Sequence, residues 1–287
     1  MIERDFIVAW RQQAPWPTDA QVEQDLALSR AIVEIFDHPR LKRELAFRGG
    51  TALHKLFSPG LVRYSEDIDL VQIEEGPIGP AMTALRGLLD PWLGAPKRNL
   101  SEGRVTLIYR FESELPPVVP LRLKVEINTR EHFSVFPHVL KEHTVENGWF
   151  GGSARIRTYR LEELLGTKLR ALFQRKKGRD LFDLGVTLED ESLDAAAVVA
   201  CFEEYLTRGG GAISRAQFEE NLLMKLAAPE FTGDLPVILT PEALERFSVD
   251  RAGEMVLTRL VAKLKGEPWQ GKPARDLRRQ GARRAGG

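Results

Sequence analysis

Apolar residues return at helical spacing between Asp19 and Phe36, through Val22, Leu26, Ile32 and Ile35, and Asp19 stands where an N-cap belongs. Leu45-Ala46-Phe47-Arg48 reads as a short strand stopping at Gly49-Gly50, after which Thr51 can cap a helix through Leu56. Alternation in the strand manner follows over Asp67–Ile73, and Pro80 to Leu89 reads as a helix. Arg104–Phe111 and Leu121–Ile127 alternate again, parted by a loop that Pro116, Pro117 and Pro120 mark. The last strand signal lies near Ile156–Tyr159. From Leu161 the period becomes helical, over 161–174, 179–188, 194–207, 214–226 and 241–264. The pattern predicts an α+β chain: a lead-in over 1–18 and a mixed-sheet α/β domain, together 1–160, then a helical domain over 161–265.

Composition changes this picture at the C-terminus. Residues 266–287 are rich in glycine and poor in apolar side chains, with Lys272, Arg275, Arg278, Arg279, Arg283 and Arg284 against Glu267 and Asp276. They predict a basic disordered tail. The whole chain of 287 residues carries 41 basic and 41 acidic side chains, a net charge of zero that argues against a uniformly basic nucleic-acid coat protein. The single cysteine, Cys201, excludes an internal disulfide and a cysteine-based zinc site, and its apolar neighbours suit a buried thiol. The sequence shows neither a signal peptide nor a run of about 20 apolar residues, so the expectation is a cytoplasmic protein without a membrane span.

Candidate chemistry gathers in two segments, Arg48-Gly49-Gly50-Thr51-Ala52-Leu53 and Arg63-Tyr64-Ser65-Glu66-Asp67-Ile68-Asp69-Leu70. Paired glycines after a strand let the backbone approach a ligand closely. A helix starting at Thr51 would turn its free N–H groups and positive end toward a phosphate. Asp67 and Asp69, two apart on a strand, share one face, and two carboxylates side by side repel unless a cation sits between them. Mg²⁺ is the ion expected, held by carboxylates and substrate phosphates. Glu126, on a later strand, is the candidate third acid of a two-metal site. Lys168, Arg170, Arg175, Lys176, Lys177 and Arg179 form a dense basic set suited to a solvated helix face or to a nucleic-acid backbone.

Together these segments resemble the nucleotidyltransferases with a DNA polymerase β-like palm. More narrowly, they are similar to the AbiEii/AbiGii family, the toxin half of type IV toxin–antitoxin and phage-defence systems, which includes the MenT toxins. The third segment of the resemblance is Leu164-Leu165-Gly166-Thr167-Lys168-Leu169-Arg170-Ala171-Leu172, then Arg175 and Gly178-Arg179-Asp180-Leu181-Phe182-Asp183-Leu184. The resemblance covers about residues 45–185. It implies transfer of a nucleoside monophosphate from an NTP to an acceptor, in MenT-like members the 3′ end of tRNA, which blocks aminoacylation, and a cognate antitoxin as partner. Gly49, Gly50 and Thr51 would hold the triphosphate, Ser65 a phosphate or a metal-bound water, Asp67 and Asp69 the Mg²⁺. Lys168 matches the motif lysine that neutralises phosphate charge, and Asp180 or Asp183 the motif aspartate, Asp180 being favoured because it follows Arg179. The alternatives are a small-molecule or protein acceptor, or a non-catalytic member that binds nucleotide, RNA or antitoxin.

Overall fold

The computed structural model describes residues 2–58 and 63–271, and all structural statements concern these. The chain forms two compact units. The first holds the chain to Arg160 together with Ile238–Thr240; the second holds Leu161–Val237 and the chain from Pro241 onward.

In the first unit, helices α1 (Arg4–Trp10), α2 (Asp19–Asp37), α3 (Leu41–Glu44), α4 (Gly49–Phe57) and α5 (Gly79–Leu93) accompany a mixed sheet. Its strands are β1 (Leu45–Arg48), β2 (Asp67–Gln72), β3 (Lys97–Ser101), β4 (Arg104–Glu112), β5 (Pro120–Asn128), β6 (Val139–Glu146) and β7 (Gly151–Thr158). The order across the seven-stranded sheet is β3-β4-β5-β2-β1-β7-β6. Parallel pairing joins β2 to β5 and β1 to β7; the other neighbours run antiparallel. One face carries Ile68, Leu70, Leu107, Tyr109, Leu123 and Val125, all at most 1% exposed. With α2 they make the core: Phe36 of α2 meets Phe47 of β1 at 5.9 Å between ring centroids.

Helix α2 begins one residue earlier than its sequence suggests. Thr18 is the N-cap, and with Gln21 it forms a reciprocal capping box, so Asp19 is the first helical residue instead. The helix also buries polar side chains, each tied to a partner elsewhere. Asp25 accepts from Trp10 Nε1 at 2.9 Å and pairs with Lys55 of α4 at 2.7 Å, while Lys55 also reaches Ser29 Oγ at 3.0 Å. This ion pair fixes α4, whose first turn carries the glycines, against the core. Removing one member leaves a buried charge alone, so Asp25→Ala is expected to cost about 3–5 kcal/mol. Urea unfolding checks it: the double variant Asp25→Ala/Lys55→Met should recover most of that loss, because no lone charge remains.

Glu23 is fully buried on the same helix. One oxygen accepts from Glu114 N–H at 2.9 Å and the other has no partner. Burial pushes its carboxyl up from 4.5 to about 7. The folded state therefore holds a proton that the unfolded state has lost, and stability from this group falls as pH rises from 4.5 through about 7. Glu23→Gln keeps a hydrogen-bond acceptor and removes the ionisation. It should raise the melting temperature at pH 8 and leave it nearly unchanged at pH 4.5, with a difference on the order of 3 kcal/mol.

The second unit is helical: α6 (Leu161–Gln174), α7 (Gly178–Thr187), α8 (Ala195–Arg208) and α9 (Arg215–Leu226), then the shorter α10 (Leu235–Ile238), α11 (Pro241–Arg246) and α12 (Val249–Met255). Gly166 lets α6 approach α8 closely, since a Cβ there would lie 2.6 Å from that of the buried Cys201. The expected single helix over 241–264 breaks at Phe247 and Ser248 and ends in a π turn and a 3₁₀ turn. No described helix is long and apolar enough to cross a membrane. Trp269 is tied by its N–H to Glu219 at 2.6 Å; the rest of the expected tail, 272–287, lies outside the described residues.

Candidate functional site

Strand β2 alternates as its sequence requires: Ile68 and Leu70 face the core, while Asp67 and Asp69 emerge half-buried on the other side. The parallel register sets Asp67 beside Lys124 and Asp69 beside Glu126 on β5; the antiparallel register sets Arg48 of β1 beside Asp69. Residues paired across strands share a face, so the three acids stand together with two cations. β5 is an interior strand, between β4 and β2, and Glu126 therefore sits inside the sheet rather than at its edge.

Lys124 is the residue that sequence reasoning passed over. Its Nζ lies 2.9 Å from Asp67 Oδ2 and 3.5 Å from Glu126 Oε2. Burial pulls the ammonium down, but Asp67 and Glu126 outweigh it and hold the lysine above its ordinary value. The signal was available, since Lys124 lies two before Glu126 and must share its face. Asp69 shows the opposite tension. Burial, then the neighbouring Asp67, raises its carboxyl above the usual range, and Lys124 only partly offsets this. Two further cations flank the set: Arg48 pairs with Glu131 at 2.5 Å, and Arg104 approaches Glu126 Oε1 at 3.5 Å.

Helix α4 meets these acids at its N-terminus. Gly49 is its first residue and takes φ +83°, a left-handed backbone that a side chain resists. A Cβ there would lie 2.2 Å from Asp69 Oδ2, so the glycine is what lets backbone and carboxylate coexist. Thr51 is not the N-cap that its sequence position suggested. It sits inside the first turn, and its hydroxyl reaches Ser65 Oγ at 2.8 Å and Asp67 O at 2.5 Å. Thr51 thus ties the helix start to the first residue of β2 through Ser65 and the Asp67 carbonyl. Tyr64 and Arg63, just upstream, are structural: Tyr64 packs edge-on to Trp16 at 5.9 Å, and its N–H donates to Ile238 O at 2.7 Å. The Ile238–Thr240 segment braces this approach to the acid pair, with Leu239 bridged to Arg63.

The donor set suits Mg²⁺ as a carboxylate pair rather than a full protein cage. Asp67 Oδ1 is buried without a hydrogen-bond partner, and burial, then Asp67 itself, raises the Asp69 carboxyl beside it. Among the described residues, no group of three or more His, Cys, Asp and Glu is set to hold an ion. Mg²⁺ keeps several waters and commonly takes one or two carboxylates plus substrate phosphates, which two aspartates satisfy.

The second unit brings the other candidates together. Lys168 on α6 is buried, with its Nζ 2.8 Å from Asp183 Oδ2 and 3.4 Å from Asp180 Oδ1 of α7. Arg175 clasps Asp180 through Nε at 2.6 Å and Nη2 at 2.8 Å. Lys176 pairs with Glu230 at 2.5 Å, Arg179 approaches Asp234 at 3.9 Å, and Arg170 lies over the Tyr205 ring. Most of the basic set read as a possible RNA face is thus engaged within the unit.

Residues 30–251 match the family described as Nucleotidyl transferase AbiEii toxin, Type IV TA system. No curated protein matches the chain. Among solved structures, MenT4, a nucleotidyltransferase toxin from Mycobacterium tuberculosis H37Rv, shares the fold with a TM-score of 0.67 and 17% identity, over 93% of this chain and 91% of its own. An antigenic nucleotidyltransferase-like protein from Paracoccidioides brasiliensis covers 64% of this chain and 88% of its own at 16% identity and a TM-score of 0.38, too distant to bear on the fold. With most of its length matched and its acid pair set beside a glycine-led helix, the chain belongs to the AbiEii family of type IV toxin nucleotidyltransferases.

Proposed function

We propose that this toxin moves a nucleoside monophosphate from an NTP to the 3′ end of tRNA and so blocks translation, using Mg²⁺ at Asp67 and Asp69. The family supplies the NTP-dependent transfer and the antitoxin partner. The acceptor, the metal and the residue roles are this proposal. In the reaction, the terminal hydroxyl gives up its proton to water and its oxygen bonds to the α-phosphorus, the bond from that phosphorus to the α–β bridging oxygen breaks, and pyrophosphate leaves with the electron pair.

The observation that carries the reading is the juxtaposition of Asp67 and Asp69 with the α4 N-terminus across Gly49. Phosphoryl transfer needs positioning and charge neutralisation more than covalent chemistry. The first turn of α4, from Gly49 through Gly50 and Thr51, would orient the triphosphate with its N–H groups. Ser65, anchored by Thr51, would hold a phosphate oxygen or a water beside the acids. Bound Mg²⁺ would neutralise the phosphates and bring acceptor and α-phosphorus together. Glu126 would orient the acceptor side of the ion-binding face. Lys168 and Asp180, paired within the second unit and steadied by Arg175, would be the family's motif lysine and aspartate.

Lys124 holds the place of a cation between Asp67 and Glu126. It therefore competes with a divalent ion, and Lys124→Met should tighten Mn²⁺ binding at least tenfold by EPR titration; affinity equal to or below wild type would remove that role. The acceptor is tested by incubating the protein with labelled NTPs and total tRNA. Label on RNA supports the proposal. Label on a small molecule or a protein, or no transfer despite nucleotide binding, overturns it.

A further inference from the structure

The face of the sheet that bears the acids continues past them. Through the pairing of β5 with β4 and of β4 with β3, the acid face includes Arg122, then Arg104, Thr106 and Arg110, then Asn99 and Lys97. The core face of the same strands carries the buried apolar residues. Lys97, Arg104, Arg110 and Arg122 are all exposed. Two of these cations are spoken for: Arg122 reaches Glu66 at 2.8 Å and Arg104 approaches Glu126 at 3.5 Å. Neither Lys97 nor Arg110 pairs with an acid among the described contacts.

One pairing is costly. Arg110 and Arg122 are direct partners in the antiparallel register. Like charges directly opposite one another destabilise a sheet. Glu66 answers Arg122, while no described acid answers Arg110, so an anion on this open face would find an unmatched cation beside a matched one. Arg122 lies two residues from Lys124, about 7 Å along the strand, so this anion would lie next to the carboxylate pair. Lys97, on the edge strand three places from β2, extends the positive face to about 14 Å from the acids.

We infer that this face of β3, β4 and β5 binds the sugar-phosphate backbone of the polynucleotide acceptor and leads its 3′ end to Asp67 and Asp69. The inference rests on the RNA acceptor proposed above and names the surface that holds it. Arginine, lysine, threonine and asparagine are the side chains that contact phosphate and sugar. A protein partner would want an apolar or aromatic anchor at the centre of its footprint. This face offers the half-buried Ile108 and, at the strand end, Pro120, but no aromatic side chain; the exposed Leu100 of β3 pairs with the buried Val105 and lies on the other side. The zero net charge of the chain is thus compatible with RNA, because the bases and acids are unevenly placed.

The test is fluorescence anisotropy with a labelled single-stranded RNA ending in a free 3′ hydroxyl, over a range of salt. The double variant Lys97→Gln/Arg110→Gln removes the two cations without a described acid partner, so no ion pair is broken. RNA affinity should fall tenfold or more at low salt, and the slope of log affinity against log salt should become shallower by about 1.4, the share of two phosphates. ATP binding should match wild type, and the melting temperature should hold or rise slightly, since a like-charge pair is relieved. Adding Arg122→Gln should weaken RNA further. Unchanged affinity and slope in the folded double variant overturn the inference while leaving the RNA acceptor standing, provided the wild type still labels RNA. Loss of antitoxin binding with RNA binding intact also overturns it and makes the face a protein-docking surface. A wild type that neither binds nor labels RNA but labels another acceptor overturns the acceptor proposal and this inference together.

Discussion

Asp67→Asn should lower nucleotide transfer on the order of a thousandfold while the protein stays folded. Asparagine keeps the shape of the side chain and removes its charge, so the change reads electrostatics rather than packing. Stability should hold or rise slightly for a specific reason: Asp67 is among the causes that push the Asp69 carboxyl up, and removing it relieves a like-charge contact. The loss on the other side is the partly exposed Lys124 ion pair at 2.9 Å, and Lys124 retains Glu126 as a second partner at 3.5 Å. Initial rates with labelled NTP, alongside urea unfolding of both proteins, separate the two effects. Transfer at wild-type level in a folded Asp67→Asn protein would end the assignment of this acid to the reaction. A growth assay gives an independent readout, since a toxin that has lost transfer should no longer inhibit its host.

Much of the fold was legible where burial is one-sided. The alternation of Ile68 and Leu70 with Asp67 and Asp69 follows directly from one face meeting the core, and so do β4 and β5. The strands that escaped notice lie toward the margins of the sheet. All five residues of β3 are exposed, so its sequence carries no apolar period to read. β6 forms the opposite edge and buries only Val145. The Gly151-Gly152-Ser153 start of β7 has almost no side chain to alternate. Helix α1 hid in the lead-in, with only Ile7 and Trp10 buried. The site was legible as a set of acids but not as a charge arrangement. What makes Lys124 a neighbour of Asp67 is the register between β2 and β5, which joins segments more than fifty residues apart and which no local pattern encodes. The same holds for Ile238–Thr240, whose contact with Tyr64 is a backbone hydrogen bond that leaves no mark in composition.

Gly49→Ala should impair the enzyme beyond its cost in stability, and Gly210→Ala supplies the comparison. Both glycines have positive φ, +83° and +76°, so either substitution imposes backbone strain on the order of 1–3 kcal/mol. They differ in what lies ahead of the new methyl group. At Gly210 nothing stands within 4 Å, whereas at Gly49 the methyl would fall 2.2 Å from Asp69 Oδ2 and 2.9 Å from its carboxyl carbon. One of those two groups must move. If the carboxylate turns away, the acid pair separates; if the backbone shifts, the first turn of α4 leaves its place beside the acids. Either displacement is about the 1 Å that costs a catalytic arrangement on the order of a hundredfold. Gly49→Ala should therefore lose about a hundredfold in transfer and bind Mn²⁺ more weakly, while Gly210→Ala melts lower by a similar margin and retains both properties. Equal transfer by the two variants would mean that the close approach of Gly49 to Asp69 serves folding alone. Should Gly49→Ala prove hard to fold, the melting curves show it directly, and Mn²⁺ affinity measured below the transition still separates a displaced carboxylate from a merely weakened fold.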